Sequence, residues 1–385
     1  MNPIPYGRQT ITDEDVAAVV EALKGEWLTQ GPKIEEFEKK FAAYVGAPYA
    51  VAVSNGTAAL HLAAMAMKVK PGQKVITTPI TFAASGNCVR YCGGDVAFAD
   101  IDPVTFLLDV QAVRRLLESH PKGTFHGIVP VDYAGLAVDM TEFRELANEF
   151  GLWIIEDACH APGASFSGKI DGKKHLCGDS SLADAAIFSF HPVKHIACGE
   201  GGMITVKSKA VYDDLILLRT HGITKNPALF EQESPGPWYY EMQKLGYNYR
   251  LTDFQAALGV TQLARADQGL ARRRAIAKRY EQAFRNTKVI SPNVPSKREH
   301  AWHLYVVQVN NRAETFAHLR ERGIYAQVHY VPMHTLPYYR RLGWKPGDFP
   351  LAESFYSRCI SIPMYPALTD KEQDYVIQAL LEIAQ

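Results

Sequence analysis

The chain has 385 residues, 47% of them hydrophobic, which is enough to bury a large core in two domains or in one large domain with an appendage. Its 41 basic and 41 acidic side chains cancel and form no long basic block, which argues against nucleic acid as a partner. The six cysteines show no CxxC spacing, which argues against both a zinc cage and a secreted disulfide framework.

The first residues and the hydropathy pattern bear on location. Residues 1–6 lack a basic segment followed by an apolar stretch. No segment reaches the roughly 18 uninterrupted apolar residues that would span a bilayer. We therefore expect a cytoplasmic protein with no membrane partner.

Two amphipathic helices are predicted near the start of the chain. Thr12, with Asp15 three residues on, is typical of a helix cap. The apolar positions that follow with helical period are Val16, Val19, Val20 and Leu23. A second helix has its apolar positions at Ile34, Phe37, Phe41 and Tyr44.

Beyond these helices, apolar runs alternate with helical stretches. The predicted strands are residues 49–54, 74–78, 95–100, 127–131, 152–157, 185–190 and 203–206. Several of these runs are apolar throughout, as strands covered on both faces are. The pattern predicts a large α/β domain with a mostly parallel sheet over residues 1–250.

The last third of the chain predicts a smaller unit. A long helical pattern over residues 251–285 is interpreted as a connector. The elements expected beyond it are strands at 304–309, 326–330 and 359–363, a helix at 313–322 and a final helix from residue 369. Residues 286–385 are therefore predicted to form a small α+β domain.

A strand-to-helix turn at residues 54–60 is a candidate phosphate site. Gly56 lets the backbone approach a ligand, and a helix N-terminus with the Thr57 hydroxyl suits a phosphate group. A plain turn capped by Thr57 would explain the same residues. Neither GxxxxGK[ST] nor a GxGxxG after a strand occurs, which disfavours dinucleotide binding.

An aromatic residue and a carboxylate follow two further strands. Phe82 would lie at the same sheet edge and stack on a flat cofactor, although most Phe side chains are core. Asp157 ends an apolar strand, where ligands collect in α/β sheets. It either keeps a heterocyclic nitrogen protonated or caps a helix. His160 is either a polar neighbour of the same ring or a core histidine.

Lys194 lies between an apolar strand and the glycine cluster of residues 199–202. A partly buried amine there can attack an aldehyde, as a Schiff-base lysine does, although an exposed lysine beside an ordinary turn is the alternative. With the carboxylate, the phosphate turn and the aromatic ring, it completes the parts needed to hold pyridoxal 5′-phosphate. His191 and His195 lack a third ligand nearby, so no metal site is predicted.

These residues resemble the DegT/DnrJ/EryC1 family of sugar aminotransferases, which are fold-type I enzymes that use pyridoxal phosphate. The resemblance covers nearly the whole chain, through residues 4–7, 55–57, 156–161, 189–194 and 246–251. Within the family, residues 27–32, 189–194 and 327–330 are most similar to PseC-type enzymes. Those enzymes aminate C4 of a UDP-linked 4-keto-6-deoxy-N-acetylhexosamine in pseudaminic acid biosynthesis.

The resemblance implies a homodimer with shared active sites, in which L-glutamate donates the amino group. It implies that Lys194 forms the Schiff base and that Asp157 pairs with the pyridine nitrogen. The other implied cofactor contacts are Phe82 on the ring face, His160 near the phenolic oxygen, Gly56, Thr57 and Ser189 at the phosphate, and Asn248 reaching across from the second subunit. The implied sugar-nucleotide contacts are Tyr6, Glu26, Trp27, Leu28, Thr29 and, from the second chain, Gln327, Val328, His329 and Tyr330.

The chain departs from the family pattern at Cys159 and Cys198, where Ala or Thr is more usual; this leaves the chemistry intact. The substrate implied is UDP-2-acetamido-2,6-dideoxy-β-L-arabino-hexos-4-ulose. The alternatives are amination of another UDP-, GDP- or dTDP-4-keto-6-deoxy sugar, as in PglE- or perosamine-type enzymes, and a non-catalytic regulator on the same scaffold. Related sugar dehydratases carry His where this chain has Lys194, which disfavours that activity.

Overall fold

A computed structural model describes residues 3–383; residues 1–2 and 384–385, at the outer ends of the predicted domains, lie outside the described residues. The helices are α1 (Asp13–Lys24), α2 (Pro32–Val45), α3 (Gly56–Ala66), α4 (Ala84–Tyr91), α5 (Val110–Glu118), α6 (Met140–Phe150), α7 (Lys209–Arg219), α8 (Asp253–Ala264), α9 (Ala266–Phe284), α10 (Arg312–Glu321), α11 (Pro337–Arg340), α12 (Pro350–Arg358) and α13 (Asp370–Ile383). The strands are β1 (Ile4–Pro5), β2 (Tyr49–Val53), β3 (Lys74–Thr77), β4 (Asp95–Phe98), β5 (Phe125–Val129), β6 (Trp153–Asp157), β7 (Ser165–Ser167), β8 (Lys174–Leu176), β9 (Ala185–Ser189), β10 (Gly202–Val206), β11 (Ile223–Thr224), β12 (Glu241–Met242), β13 (Arg298–Glu299), β14 (Tyr305–Gln308), β15 (Ile324–Tyr325) and β16 (Cys359–Ile362).

The seven predicted apolar runs form one sheet in the order β2-β10-β9-β6-β5-β3-β4. All neighbouring pairs are parallel except those of β10, which runs antiparallel to β2 and β9. The strands are apolar because helices cover the sheet on both faces. The predicted mostly parallel sheet is confirmed, and the carboxyl ends of β2, β3, β5, β6 and β9 share one edge.

Helix α1 begins where the sequence predicts, but it buries an unexpected face. Thr12 and Asp15 form a reciprocal capping box. Asp15 is fully buried, and its carboxylate accepts hydrogen bonds from Thr261 (2.6 Å) and Gln262 (2.8 Å) of α8. The apolar residues Val16, Val20 and Leu23 are instead 40–53% exposed. The apolar stripe therefore indicated the helix correctly without revealing which face packs within this chain.

A second hydrophobic core joins the two ends of the chain. Strand β1 pairs in parallel with β15, and Ile4 lies in the same core as Ile324, Ile360 and Tyr280. Strands β14 and β16 pair antiparallel beside it. The strand predicted over 326–330 does not form, since β15 ends earlier and only Gln327 makes an isolated bridge. The predicted domain boundaries remain a prediction.

Among the helices within residues 3–383, none has both the length and the apolar character needed to cross a bilayer.

Candidate active site

A cleft of about 870 Å³ opens at the carboxyl edge of the sheet. Its walls include Gly56 after β2, Asp157 at the end of β6, Ser189 at the end of β9, and Lys194 in the loop that follows. The parallel strands end at this edge, so segments far apart in sequence meet there. The sequence-predicted lysine, carboxylate and phosphate turn therefore lie around one cavity.

The turn between β2 and α3 packs closely against its neighbours. The side chain of Asn55 caps α3 by accepting a hydrogen bond from the Ala58 N–H (2.8 Å), so the cap is not Thr57. A Cβ atom on Gly56 would lie 2.9 Å from the Cβ of Ser189. One on Gly202 would lie 2.4 Å from the Asn55 carbonyl oxygen. Both glycines permit this packing, which brings the α3 N-terminus to the cleft, where an anion is favoured.

Asp157 is buried, and its carboxylate is held by two hydrogen-bond donors. Its Oδ2 accepts a hydrogen bond from the Ser85 hydroxyl at 2.6 Å, and Ser85 is itself 2.7 Å from the Thr81 hydroxyl. Its Oδ1 accepts one from the Cys159 N–H at 3.2 Å. These contacts fix the orientation of the carboxylate at the floor of the cleft.

The Lys194 amine is held in a desolvated position. The loop is anchored by hydrogen bonds from the Lys194 N–H to the His191 carbonyl (2.8 Å) and from the Cys198 N–H to the Phe190 carbonyl (2.9 Å). Burial lowers the pKa of the amine below its usual value, while Cys159 and Asp157 act in the opposite direction. A neutral, nucleophilic amine is therefore more readily available here than on an exposed lysine.

His160 is a neutral, fixed side chain beside this amine. Its Nδ1 accepts a hydrogen bond from the Ala134 N–H (3.2 Å), and its Nε2 lies 3.3 Å from the Tyr330 hydroxyl. Burial, followed by the charge of Lys194, lowers the pKa of His160 well below its usual value. It therefore offers an N–H donor at Nε2 rather than a positive charge.

Four further predicted residues line the same cleft: Tyr6, Phe82, His329 and Tyr330. Phe82 is 59% exposed at the cleft, and its ring lies 6.0 Å from that of Tyr330. His329 and Tyr330 line the cleft of their own chain, which also holds Lys194. This differs from the resemblance, which implies that they come from the second chain.

The other predicted site residues do not line the cleft: Glu26, Trp27, Leu28, Thr29, Gln327, Val328 and Asn248. Trp27 and Leu28 are 56% and 50% exposed on the surface. Gln327 is paired with Ser361 in an isolated bridge. Asn248 lies between Tyr247 and Tyr249, which both line the cleft. Because successive side chains of an extended segment alternate, Asn248 faces away from its own cleft.

Sequence reasoning did not name several polar residues of the cleft, among them Ser85 and His303. Ser85 follows Phe82 by three residues at the start of α4, and that spacing would have placed it at the same edge. His303 lies 109 positions from Lys194 in a segment without a recognisable motif, and only the folded chain brings it there.

Behind the cleft, two carboxyl groups lie together without a counter-charge. Side-chain atoms of Asp132, Glu156 and Cys177 lie within 4.8 Å of one another. Within residues 3–383, this is the one cluster of three side chains of the types that can bind a metal ion. Burial raises the pKa of Asp132 to about 7 and that of Glu156 well above its usual value. The Gly178 N–H donates to Glu156 and favours its ionised form, but burial and the neighbouring Asp132 carboxyl outweigh this contact, so the pair retains at least one proton near neutral pH.

The acid pair predicts that stability falls as pH rises. Both pKa values are raised in the folded state, so folding retains protons that the unfolded chain releases above about pH 4. The free energy of unfolding should therefore fall as the pH rises from about 4 through 7. Glu156→Gln, whose amide imitates the protonated acid, should flatten this slope in urea titrations. The exposed Glu145→Gln should keep it, and an unchanged slope in Glu156→Gln would contradict the assignment.

The two histidines considered for a metal do not form a site with a third ligand in the described residues. His191 is exposed, and the Nε2 of His195 lies 2.8 Å from the Ala301 carbonyl oxygen. His195 therefore has a backbone partner of its own.

Comparison with known proteins bears on the chemistry of this cleft. Spore coat polysaccharide biosynthesis protein SpsC from Bacillus subtilis is 39% identical over 391 residues, covering 99% of this chain and 97% of SpsC. The PLP-form of Spr1654 from Streptococcus pneumoniae has a TM-score of 0.88 at 29% identity, covering 99% of this chain and 98% of that one. Helicobacter pylori PseC, an aminotransferase involved in the biosynthesis of pseudoaminic acid, has a TM-score of 0.88 at 27% identity, covering 100% and 99%.

The match to a family is equally extensive. The sequence pattern of the DegT/DnrJ/EryC1/StrS aminotransferase family fits residues 9–381, which is almost the whole chain. The predicted fold-type I architecture agrees with the solved structures. The chain therefore belongs to the DegT/DnrJ/EryC1/StrS aminotransferase family.

Proposed function

We propose that this aminotransferase uses pyridoxal phosphate to move the amino group of L-glutamate to C4 of a nucleotide-linked 4-keto-6-deoxy sugar. The observation that carries the proposal is the meeting of the Lys194 amine, the Asp157 carboxylate and the α3 N-terminus in one cleft. Spr1654, which has the same fold, is known in a PLP-form and a PMP-form. These features support pyridoxal phosphate as the cofactor but do not identify the sugar.

The residues of the cleft fit this cofactor. The α3 N-terminus, Thr57 and the Ser189 hydroxyl suit a phosphate, and the bare backbone of Gly56 leaves room for it. Asp157 suits a protonated ring nitrogen, because its carboxylate is buried and oriented by neutral donors rather than by a basic side chain. Phe82 offers an uncovered aromatic face at the cleft. Lys194 offers the amine.

Pyridoxal phosphate, when bound, supplies an aldehyde that carries the amino group and a ring that withdraws electrons from the carbon that loses a proton. The chain supplies the proton transfers. Lys194, whose pKa is lowered by burial, takes a proton from the α-carbon of the donor in its neutral form and later delivers one to C4 of the sugar. Asp157 keeps positive charge at a ring nitrogen, and His160 donates a hydrogen bond from Nε2.

For the substrate, we propose UDP-2-acetamido-2,6-dideoxy-β-L-arabino-hexos-4-ulose, as in pseudaminic acid biosynthesis. Similarity to PseC over the whole chain supports this choice. The alternative substrate is another UDP-, GDP- or dTDP-4-keto-6-deoxy sugar. This alternative is supported by SpsC, a spore coat polysaccharide biosynthesis protein, which is more similar in sequence to this chain than PseC is.

A direct assay separates the two substrates. The purified protein, loaded with pyridoxal phosphate, is incubated with glutamate and each UDP-, GDP- and dTDP-4-keto sugar, and the aminated product is identified by NMR. We expect the largest kcat/KM with the UDP-linked L-arabino compound. A preference for another sugar would overturn the proposed substrate but not the proposed aminotransferase activity. Absence of glutamate-dependent turnover with every sugar would favour a non-catalytic regulator.

We also propose a homodimer, in which the second copy of this chain covers the exposed face of α1. Val16, Val20 and Leu23 form an apolar stripe there that no other part of residues 3–383 covers. Trp27 and Leu28 extend this surface. In such a dimer, residues 26–29 and Asn248, which lie outside their own cleft, become available to the neighbouring one.

A charged residue in the middle of this stripe should weaken the dimer. Val20→Glu buries an unpaired carboxylate against apolar groups, so we expect association to weaken by about 2–4 kcal/mol, or roughly 30- to 1,000-fold. Light scattering across a dilution series measures the change. Val104→Glu, at a valine of similar exposure on another surface, is the matched control. Equal dimer affinities in the two variants would show that α1 is not the interface.

A further inference from the structure

His303 lies beside the Lys194 amine, although nothing in its local sequence marks it as a site residue. Its Nε2 is 3.4 Å from the Lys194 Nζ, and the residue is only 4% exposed. Within residues 3–383, this ring is the one side-chain hydrogen-bond partner that the amine has. The contact joins positions 109 residues apart, so the fold as a whole holds it in place.

The backbone around His303 is fixed on both sides. The Ala301 N–H donates to the Gly135 carbonyl (2.8 Å), and the Leu304 N–H donates to the Ala134 carbonyl (3.1 Å). The buried guanidinium of Arg273 donates to the carbonyl oxygen of His303 itself (3.3 Å). The imidazole is therefore presented to Lys194 by a rigid segment.

The hydrogen-bonding capacity of the ring identifies its role. The Nδ1 of His303 is buried and has no hydrogen-bond partner within the described residues. Among those residues, Lys194 is therefore the only one whose side chain is hydrogen-bonded to this ring. Burial, followed by the charge of Lys194, lowers the pKa of His303 well below its usual value, which keeps the ring neutral. An ammonium group can only donate, so Nε2 accepts and the ring proton lies on Nδ1.

We propose that His303 is the positioning residue of the Lys194 amine, accepting a hydrogen bond at Nε2 when the amine carries its additional proton. Its contribution to turnover rests on the proposed function. When Lys194 takes a proton from a substrate carbon, the proton moves to Nζ and is not passed on to His303. The hydrogen bond to His303 stabilises that ammonium group inside a desolvated cleft.

The other groups that face the amine do not provide this bond. Asp157 and Cys159 act to raise the pKa of Lys194, and Arg273 acts to lower it, but none of them is hydrogen-bonded to Nζ. Burial is the largest cause of lowered pKa values at His160, His195 and His329, so these rings are neutral near pH 7. A neutral acceptor at 3.4 Å is therefore the specific partner of the amine.

The test measures the pKa of Lys194 in the cofactor-free full-length protein. Potassium cyanate carbamylates only neutral amines, and mass spectrometry follows the rate at Lys194 from pH 6 to 11. In His303→Leu, loss of the acceptor should lower the apparent pKa of Lys194 by about 1–2. His303→Gln, whose amide oxygen reaches the Nε2 position, should restore most of it, whereas the shorter His303→Asn should not.

His300→Leu is the matched control, because His300 is buried in the same segment but its Nδ1 bonds to the Trp302 N–H (2.8 Å). That variant should leave the pKa of Lys194 unchanged. Equal pKa values in the Leu, Gln and Asn variants of His303, or a rise in any of them, would overturn the proposal. If His303→Leu fails to fold, the comparison of Gln with Asn decides. Because cyanate labelling needs neither cofactor nor sugar, failure of the proposed function would leave this result standing.

Discussion

Lys194→Ala should abolish transamination. A positioned acid–base group contributes about 10²–10⁴-fold to the rate, and this variant also loses the amine proposed to hold the cofactor, so we expect glutamate-dependent turnover to fall by at least about 10³-fold. The absorbance of the lysine-bound cofactor should be lost as well. Turnover is measured with the preferred keto sugar, and the spectrum is recorded after soaking the protein in pyridoxal phosphate.

Two controls separate loss of chemistry from loss of charge or fold. Lys194→Arg keeps a positive charge but cannot form the covalent link, so it should resemble Lys194→Ala. Lys288→Ala removes an exposed lysine and should behave as the wild type. Borohydride reduction followed by mass spectrometry should find the cofactor adduct at Lys194 in the wild type. An adduct at any other lysine would refute the assignment.

The central sheet was predictable because burial on both faces leaves a strong local signal. Strand β6 begins with three apolar residues and ends in carboxylates, so both the element and the position of Asp157 follow from one short segment. Gly56 was likewise marked by its own strand-to-helix turn, although the atoms that it approaches, on Ser189, come from a distant strand. Features determined within one segment were therefore accessible from sequence.

Features determined between distant segments were not. His303 reaches Lys194 because its neighbours Ala301 and Leu304 are hydrogen-bonded to Gly135 and Ala134, far away in sequence. Ile4 joins the second core through a strand pairing that no local pattern predicts. The stripe of α1 shows a different limit. An apolar helix face indicates that something covers it, but hydrophobic periodicity does not distinguish the same chain from a second copy. Asp15, predicted only as part of the helix cap, is also buried against α8, where Thr261 and Gln262 donate hydrogen bonds to its carboxylate.

Asp157→Asn should retain cofactor but lose most turnover. The amide can still accept the hydrogen bond from Ser85, so the local packing survives, but it has no charge with which to hold a proton on a ring nitrogen. We expect kcat to fall by about 10²–10⁴-fold, because electron withdrawal by the protonated ring assists both proton transfers of Lys194. Parallel measurements of kcat and of cofactor content, by absorbance of the unfolded protein, test both parts.

Ser85→Ala provides the graded comparison for this prediction. It leaves the Asp157 charge in place and removes only the 2.6 Å hydrogen bond that orients it, so kcat should fall by about 10-fold or less. The exposed Asp213→Asn should have no effect. Near-normal turnover in Asp157→Asn would remove this carboxylate from the chemistry. A loss in Ser85→Ala as large as that in Asp157→Asn would assign the effect to orientation rather than charge. We expect a large loss of kcat in Asp157→Asn and a small one in Ser85→Ala, because the charge of Asp157 stabilises the protonated ring nitrogen, whereas the Ser85 hydroxyl only orients that carboxylate.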